Sequence, residues 1–256
     1  MTVKEELIDY YSNKSKHSNY QVLPKRLKAI LGANDIHTNT RYEKERLEYV
    51  LSKVSVKGKT ILDIGGNTGF FTFELVEAGA KSAHCYEGNK EHADFVRLAA
   101  KAVNLDDKIH VTNDYFAFDG SYEDHYDVIL LFNVSHHVGD DYGDKNISIQ
   151  EAHHAIIKQL NSLSSNAPTI VFQMGFNWQG DVSNSLFEHG TKAEMIEFVK
   201  NGIKGHWEII TIGLAERNEE KVEYKNLNEK NIERDDSLGE FLNRPIFILK
   251  SVKGNV

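Results

Sequence analysis

The chain has 256 residues, with 30 Lys and Arg against 38 Asp and Glu, giving a formal net charge of −8 at pH 7. Its 40% hydrophobic and 27% charged residues are globular composition and exclude a disordered chain. No stretch approaches ~18 uninterrupted apolar residues, which excludes a membrane-spanning helix, and the single cysteine, Cys85, excludes a disulfide scaffold and a cysteine-based zinc site.

The first residues, MTVKEELIDYYSNK, are acidic and lack an apolar run, so they do not read as a secretory signal. The expected location is cytoplasmic. The acidic balance counts against broad nucleic-acid binding, although a local basic patch stays compatible with it.

In chain order, residues 1–58 read as a helical extension. Leu7, Tyr10 and Tyr11 share a face, Val22, Leu27, Ile30 and Leu31 follow, and Tyr42, Leu47, Val50, Leu51 and Val54 keep helical spacing. From residue 59 to 256 the pattern is that of one larger domain. Strand-like runs at Thr60–Ile64, Ser82–Tyr86, Ile109–Thr112, Val128–Val134 and Thr169–Met174 alternate with helical stretches at Thr68–Glu77, Lys90–Ala102, Ile149–Leu160 and Lys192–Val199. Such alternation calls for a parallel sheet covered by helices on both faces. Trp207–Ile212 and Ile246–Val252 read as late strands with no helix between them, which suggests an antiparallel edge. The polar stretch 216–236 reads as a mobile flap or a solvated excursion.

The most informative run is Ile61-Leu62-Asp63-Ile64-Gly65-Gly66-Asn67-Thr68-Gly69-Phe70-Phe71. A buried strand ends in an acid, turns on glycines and enters a helix. Glycines permit positive φ and close approach to a ligand, and the helix N-terminus favours a polar or anionic group. A dinucleotide site wants G-x-G-x-x-G, which glycines at 65, 66 and 69 do not match. Asp63 suits a positively charged ligand better than a diphosphate.

This run resembles the first motif of the class I S-adenosylmethionine-dependent methyltransferases, D/E-x-G-x-G-x-G. It departs at Asn67, where the middle glycine is usual. Asn is the residue besides glycine that best tolerates the left-handed region, so the turn can survive, and Asn in this slot looks like the FkbM-type branch. The resemblance implies an α/β fold, Rossmann-like and doubly wound: a mostly parallel seven-stranded sheet with an antiparallel edge strand and an N-terminal helical extension. It also implies S-adenosyl-L-methionine as cofactor, bound about Asp63, Gly65, Gly66, Asn67, Gly69 and Phe70.

Three further strand ends fit in order. Glu87 closes the second strand, and an acid about 20 residues past the glycine turn can accept both ribose hydroxyls; Gly88 follows it. NAD enzymes use the same device, and a solvated glutamate would look alike. Asn113-Asp114-Tyr115 closes the third strand, where the resemblance places the adenine; an Asx turn is the plainer reading. Leu130-Leu131-Phe132-Asn133-Val134-Ser135-His136-His137 closes the fourth. By resemblance Asn133 meets the methionine moiety, and His136 or His137 faces the transferable methyl as a base.

On the flanks, Arg41 or Tyr42 could reach the cofactor carboxylate, and Tyr10 or Tyr11 could seal the donor from water, although helix packing would equally explain each. Trp178, beside Asn177 and Gln179, suits a sugar face. Asp140, Asp141 and Asp144 could hold magnesium, but a solvated acidic loop is the commoner case, and no metal is expected. The expected function is methyl transfer to oxygen or nitrogen of a small-molecule or saccharide-like acceptor, with a surface-polysaccharide pathway as one setting. A tRNA-modifying enzyme and a non-catalytic cofactor-binding domain are the alternatives.

Overall fold

The structure, a computed structural model, describes residues 2–12, 20–32, 38, 40–219 and 221–253. The chain divides into two compact units, Met1–Phe116 and Ala117–Val256.

The first unit contains helices α1 (Val3–Ser12), α2 (Lys25–Leu31) and α3 (Glu43–Lys53), then strand β1 (Thr60–Ile64), α4 (Phe70–Glu77), β2 (Ser82–Tyr86), α5 (Lys90–Ala102) and β3 (Ile109–Thr112). The strands pair in parallel in the order β3-β2-β1, with Asp63 opposite Cys85 and Ile64 opposite Tyr86. Parallel pairing follows from the helix that intervenes between successive strands. Ile61, Leu62 and Ile64 are all buried, as a strand covered on both faces requires.

Helix α5 starts at Asn89, whose side chain accepts the Glu91 and His92 N–H groups at 2.9 and 3.3 Å. It buries Ala93, Phe95, Val96, Ala99 and Ala100 along one stripe. Helix α1 packs there through Tyr11, whose ring centroid lies 5.6 Å from that of Phe95. The helices before β1 thus fold within the same unit as the glycine turn.

The second unit contains β4 (Val128–Phe132), α6 (Ile149–Ser162), β5 (Thr169–Gln173), α7 (Lys192–Gly202), β6 (Trp207–Asn218), β7 (Lys221–Asn226), the short helix α8 (Gly239–Leu242) and β8 (Ile246–Ser251). Their order is β4-β5-β8-β6-β7. β4 and β5 are parallel, while β8 runs antiparallel to both β5 and β6, and β7 antiparallel to β6. All five residues of β4 are buried. Helices α6 and α7 both begin with capping boxes, Ser148 with Glu151 and Thr191 with Glu194.

Eight strands are present among the described residues, against the seven expected. The additional one is β7, inside the stretch expected to be a flap or an excursion. Here β6 runs on to Asn218 and turns into β7. Asn231 Nδ2 donates to Glu216 Oε1 at 2.9 Å and to the Asn226 carbonyl at 3.0 Å, and the buried Lys192 Nζ donates to the Asn231 carbonyl at 2.9 Å. Part of the polarity of this stretch is thus spent on internal hydrogen bonds, while residues such as Arg217, Lys221, Glu229 and Asp236 are exposed. No helix among the described residues is long and apolar enough to cross a membrane.

Candidate active site

In the first unit the turn after β1 alternates in conformation. Gly65, Asn67 and Gly69 have φ of 73°, 52° and 79°. Asn67 therefore takes the left-handed geometry that its slot demands, and its Oδ1 accepts the Thr68 N–H at 2.8 Å. Gly66 is required for a different reason: a Cβ there would lie 2.4 Å from Cys85 Sγ and 3.3 Å from Asp63 Oδ2. Asp63 is buried and accepts the Thr72 hydroxyl at 2.6 Å. Burial pushes its carboxyl up to about 6. The Thr72 bond pulls the other way, the charge of Glu87 adds to the rise, and Arg46 opposes it.

Glu87 lies at the end of β2 and is buried. Its Oε2 accepts the Asn67 N–H at 2.7 Å and its Oε1 the Asn89 N–H at 2.9 Å. His92 Nδ1 stands 3.7 Å from Oε1. Asn113 Nδ2 donates to the Glu87 and Gly88 carbonyls at 2.9 and 3.1 Å, so it braces this corner. Asp114 is exposed and accepts the Tyr115 N–H at 2.8 Å, in an Asx-type turn. Tyr115 is half exposed and its ring lies beside Gly88, where an added Cβ would stand 2.5 Å from it.

The residues expected to form a lid divide. Tyr11 is buried, with its hydroxyl donating to the Gln21 carbonyl, and burial raises its phenol to about 12. Tyr10 is half-buried on α1. Arg41 holds its guanidinium 4.6 Å over the Tyr20 ring, and the Arg41 backbone N–H donates to Glu43 Oε1 at 2.9 Å. Tyr42 precedes α3 with φ 57°. Phe70 is buried at the start of α4.

Two residues of this unit escaped the sequence reading. Gln21 Oε1 accepts the Phe70 N–H at 3.1 Å and the Thr68 hydroxyl at 3.4 Å, so a distant side chain caps the first turn of α4. Arg46, buried on α3, lies 3.6 Å from Glu43 and 5.0 Å over the Phe71 ring, and its charge reaches Asp63. Each sits in an unremarkable helical or coil stretch, and only burial reveals them.

In the second unit Asn133 follows β4 with φ 58°. Its N–H donates to the Gln173 carbonyl at 2.7 Å, its Nδ2 to Gln173 Oε1 at 3.1 Å, and its Oδ1 accepts from Arg244 Nη1 at 2.8 Å. Arg244 also binds both oxygens of Glu240 through Nε, each at 3.0 Å. Glu240 and Arg244 lie on either side of Phe241, Leu242 and Asn243. Their i, i+4 spacing before Pro245 is the one local sign of this pair.

The two histidines fall in the 3₁₀ turn Ser135–His137, with ring centroids 4.3 Å apart. They differ. His136 is buried, and its Nδ1 accepts the Gly175 N–H at 3.2 Å, which leaves the proton of a neutral ring on Nε2. His137 is less buried, with Nδ1 at 3.4 Å from Asp141 Oδ2 and 3.7 Å from Asp140 Oδ2. These three groups bring one ligand atom each within 4.8 Å, a spacing a divalent cation could use. Asp144 stands outside the group and accepts the Asn146 N–H at 2.9 Å. Trp178 Nε1 donates to the Val138 carbonyl at 2.7 Å, and Gln179 Nε2 to the Gly139 carbonyl at 3.0 Å. Both therefore clamp the loop that follows His137.

No protein-family profile matches the chain. A 75-residue stretch is 37% identical to a rice protein (Oryza sativa subsp. indica) named "Probable protein arginine N-methyltransferase 6.1", covering 29% of this chain and 19% of that one. Among solved structures, WbdD aligns over 96% of this chain and 46% of its own, at 13% identity and a TM-score of 0.59. SMU.776, a proposed methyltransferase complexed with SAH, aligns over 80% of this chain and 48% of its own, at 15% identity and a TM-score of 0.52. The chain thus spans about half the length of these two structures. By fold, this chain is similar to these two structures, α/β and Rossmann-like.

Proposed function

We propose that the chain moves a methyl group from S-adenosylmethionine to an oxygen or nitrogen of a small-molecule or saccharide-like acceptor. The observation that carries this reading is the buried Asp63 beside a turn of alternating positive φ, whose central N–H is bound to Glu87. An acid at this point repels a diphosphate and attracts an ammonium or sulfonium group.

When bound, the donor supplies an electrophilic methyl on a positively charged sulfur. In this reading, the backbone around Gly65 to Gly69 receives the methionine portion, and Glu87 accepts from the ribose hydroxyls. Asn113 holds the Glu87 corner, and Tyr115 with Gly88 offers an adenine face. Within the second unit, His137, with Asp141 and Asp140 beside its Nδ1, is the group suited to take a proton. His136 acts as a donor through Nε2. Trp178 and Gln179 spend their N–H groups on the loop, so acceptor recognition through Trp178 rests on its ring face. Most of the acceleration comes from alignment and exclusion of water.

Incubation with methyl-labelled donor and separate pools of free sugars, sugar nucleotides and tRNA tests this. Label in a saccharide pool supports the reading. Label in tRNA alone transfers the acceptor to nucleic acid, and no label with no donor binding overturns it.

A further inference from the structure

Helix α4 has no cap of its own, and the reason lies in the turn before it. Its N-cap is Gly69, at φ 79°, and an added Cβ there would stand 3.0 Å from Val96 Cγ2 and 3.1 Å from the Phe73 ring. The left-handed conformation and the crowding together leave no place for a side chain, so the residue that ordinarily caps a helix cannot carry an acceptor here. The acceptor comes from another part of the first unit. Gln21, 49 residues before Phe70, places Oε1 3.1 Å from the Phe70 N–H, and the Thr68 hydroxyl donates to the same oxygen at 3.4 Å. One oxygen thereby touches the residues on both sides of Gly69. Thr68 and Phe70 are both buried, where a donor left unpaired is costly.

Gln21 is itself held on a short strap that runs along α4. The Tyr11 hydroxyl donates to the Gln21 carbonyl, and Val22 and Leu23 are buried. Beyond them the Lys25 backbone N–H donates to Glu74 Oε1 at 2.6 Å, and Arg26 Nη1 to Glu77 Oε1 at 2.8 Å. The contacts advance together, from Gln21 on Phe70 to Lys25 on Glu74 and Arg26 on Glu77, so strap and helix run side by side. The position of the cap is thus set by the N-terminal segment and not by the glycine turn.

We infer that Gln21 is a positioning residue, whose side-chain oxygen holds the end of the glycine turn in the shape that receives the donor, so that the N-terminal segment sets donor affinity. This rests on the methyl-transfer reading above. A turn released from its cap visits other conformations, and the measured affinity falls with the fraction of molecules that keep the competent one. The group that matters is the acceptor atom and not the bulk of the side chain.

The test is calorimetric titration of S-adenosylhomocysteine into wild type, Gln21→Met, Gln21→Glu and Arg26→Ala, with circular dichroism to check that each is folded. Met keeps the length of the side chain and removes the acceptor. Glu keeps an acceptor oxygen, and its charge suits a helix N-terminus. Arg26→Ala loosens the far end of the same strap and leaves the cap in place. The expected result is roughly fivefold weaker binding for Gln21→Met, the effect of one helix cap, with most of the loss recovered in Gln21→Glu and none in Arg26→Ala. Should Gln21→Met not fold, Tyr11→Phe releases the Gln21 carbonyl while keeping a ring on Phe95, and a smaller loss of about twofold is expected. Unchanged affinity in the variant so read, equal losses in Gln21→Met and Gln21→Glu, or an equal loss in Arg26→Ala overturns the inference, while wild-type binding keeps the methyl-transfer reading intact. A wild type that does not bind overturns both.

Discussion

The N–H of Asn67 donates to Glu87 Oε2 at 2.7 Å, across 20 residues of sequence. One carboxylate thereby fixes the middle of the glycine turn to the end of β2, and its other oxygen takes the Asn89 N–H ahead of α5. Glu87→Gln keeps the volume but replaces one acceptor by an amide donor facing a backbone N–H. We expect a lower melting temperature, by an amount equivalent to about 1–3 kcal/mol for a buried unmatched group, together with weaker binding of S-adenosylhomocysteine. Thermal melts with and without ligand separate the two effects.

Asp63 carries a pH dependence of definite sign. Its folded value of about 6 stands above the ordinary 3.8. The stability this group contributes is therefore full below 3.8 and is lost as pH rises through about 6. A cationic ligand favours the ionised form, so donor affinity should strengthen as pH rises through about 6 and then level off. Titrations at pH 5, 6, 7 and 8 should show this rise in wild type and a flat profile in Asp63→Asn. Asp63→Ala should weaken binding by roughly 10- to 100-fold, and unchanged affinity would remove Asp63 from the site.

Gly66 has ordinary φ, so its requirement is one of space. Gly66→Ala sets a methyl 2.4 Å from Cys85 Sγ, and overpacking of this kind costs about 1–3 kcal/mol. Adding Cys85→Ala opens room and should restore part of the loss. Urea denaturation of the single and double variants reads this, and equal stability of Gly66→Ala and wild type would contradict the packing.

The first-unit strands and the glycine turn were legible because the chemistry is local. A strand buried on both faces reads as an apolar run, and Asn at 67 announces its own left-handed geometry. Strand β7 within the polar stretch 216–236 was not legible, because Glu216, Asn226, Asn231 and Lys192 are joined by bonds that sequence does not display. Gln21, Arg46 and Arg244 escaped for the same reason: their partners lie tens of residues away. Tyr11 packs on Phe95 and donates to the Gln21 carbonyl, so it reaches the glycine turn through Gln21.

The histidines should separate in kinetics. His137→Gln is expected to lower kcat by about 10²-fold or more, with KM for the donor little changed, as for loss of a general base. His136→Gln should act more through stability, since it disturbs the Gly175 N–H contact in a buried place. Steady-state rates and thermal melts on both variants check this. Equal kcat losses from the two would reject the assignment of His137 as base.

The central claim is that the acid-tipped turn takes a sulfur-linked nucleoside carrying an ammonium group and not a dinucleotide. Calorimetric titration of S-adenosylhomocysteine and, separately, NADH into the wild-type chain at pH 7.5 tests it most directly. The account predicts saturable one-to-one heat with S-adenosylhomocysteine and none with NADH; heat with NADH alone, or with neither, would contradict it.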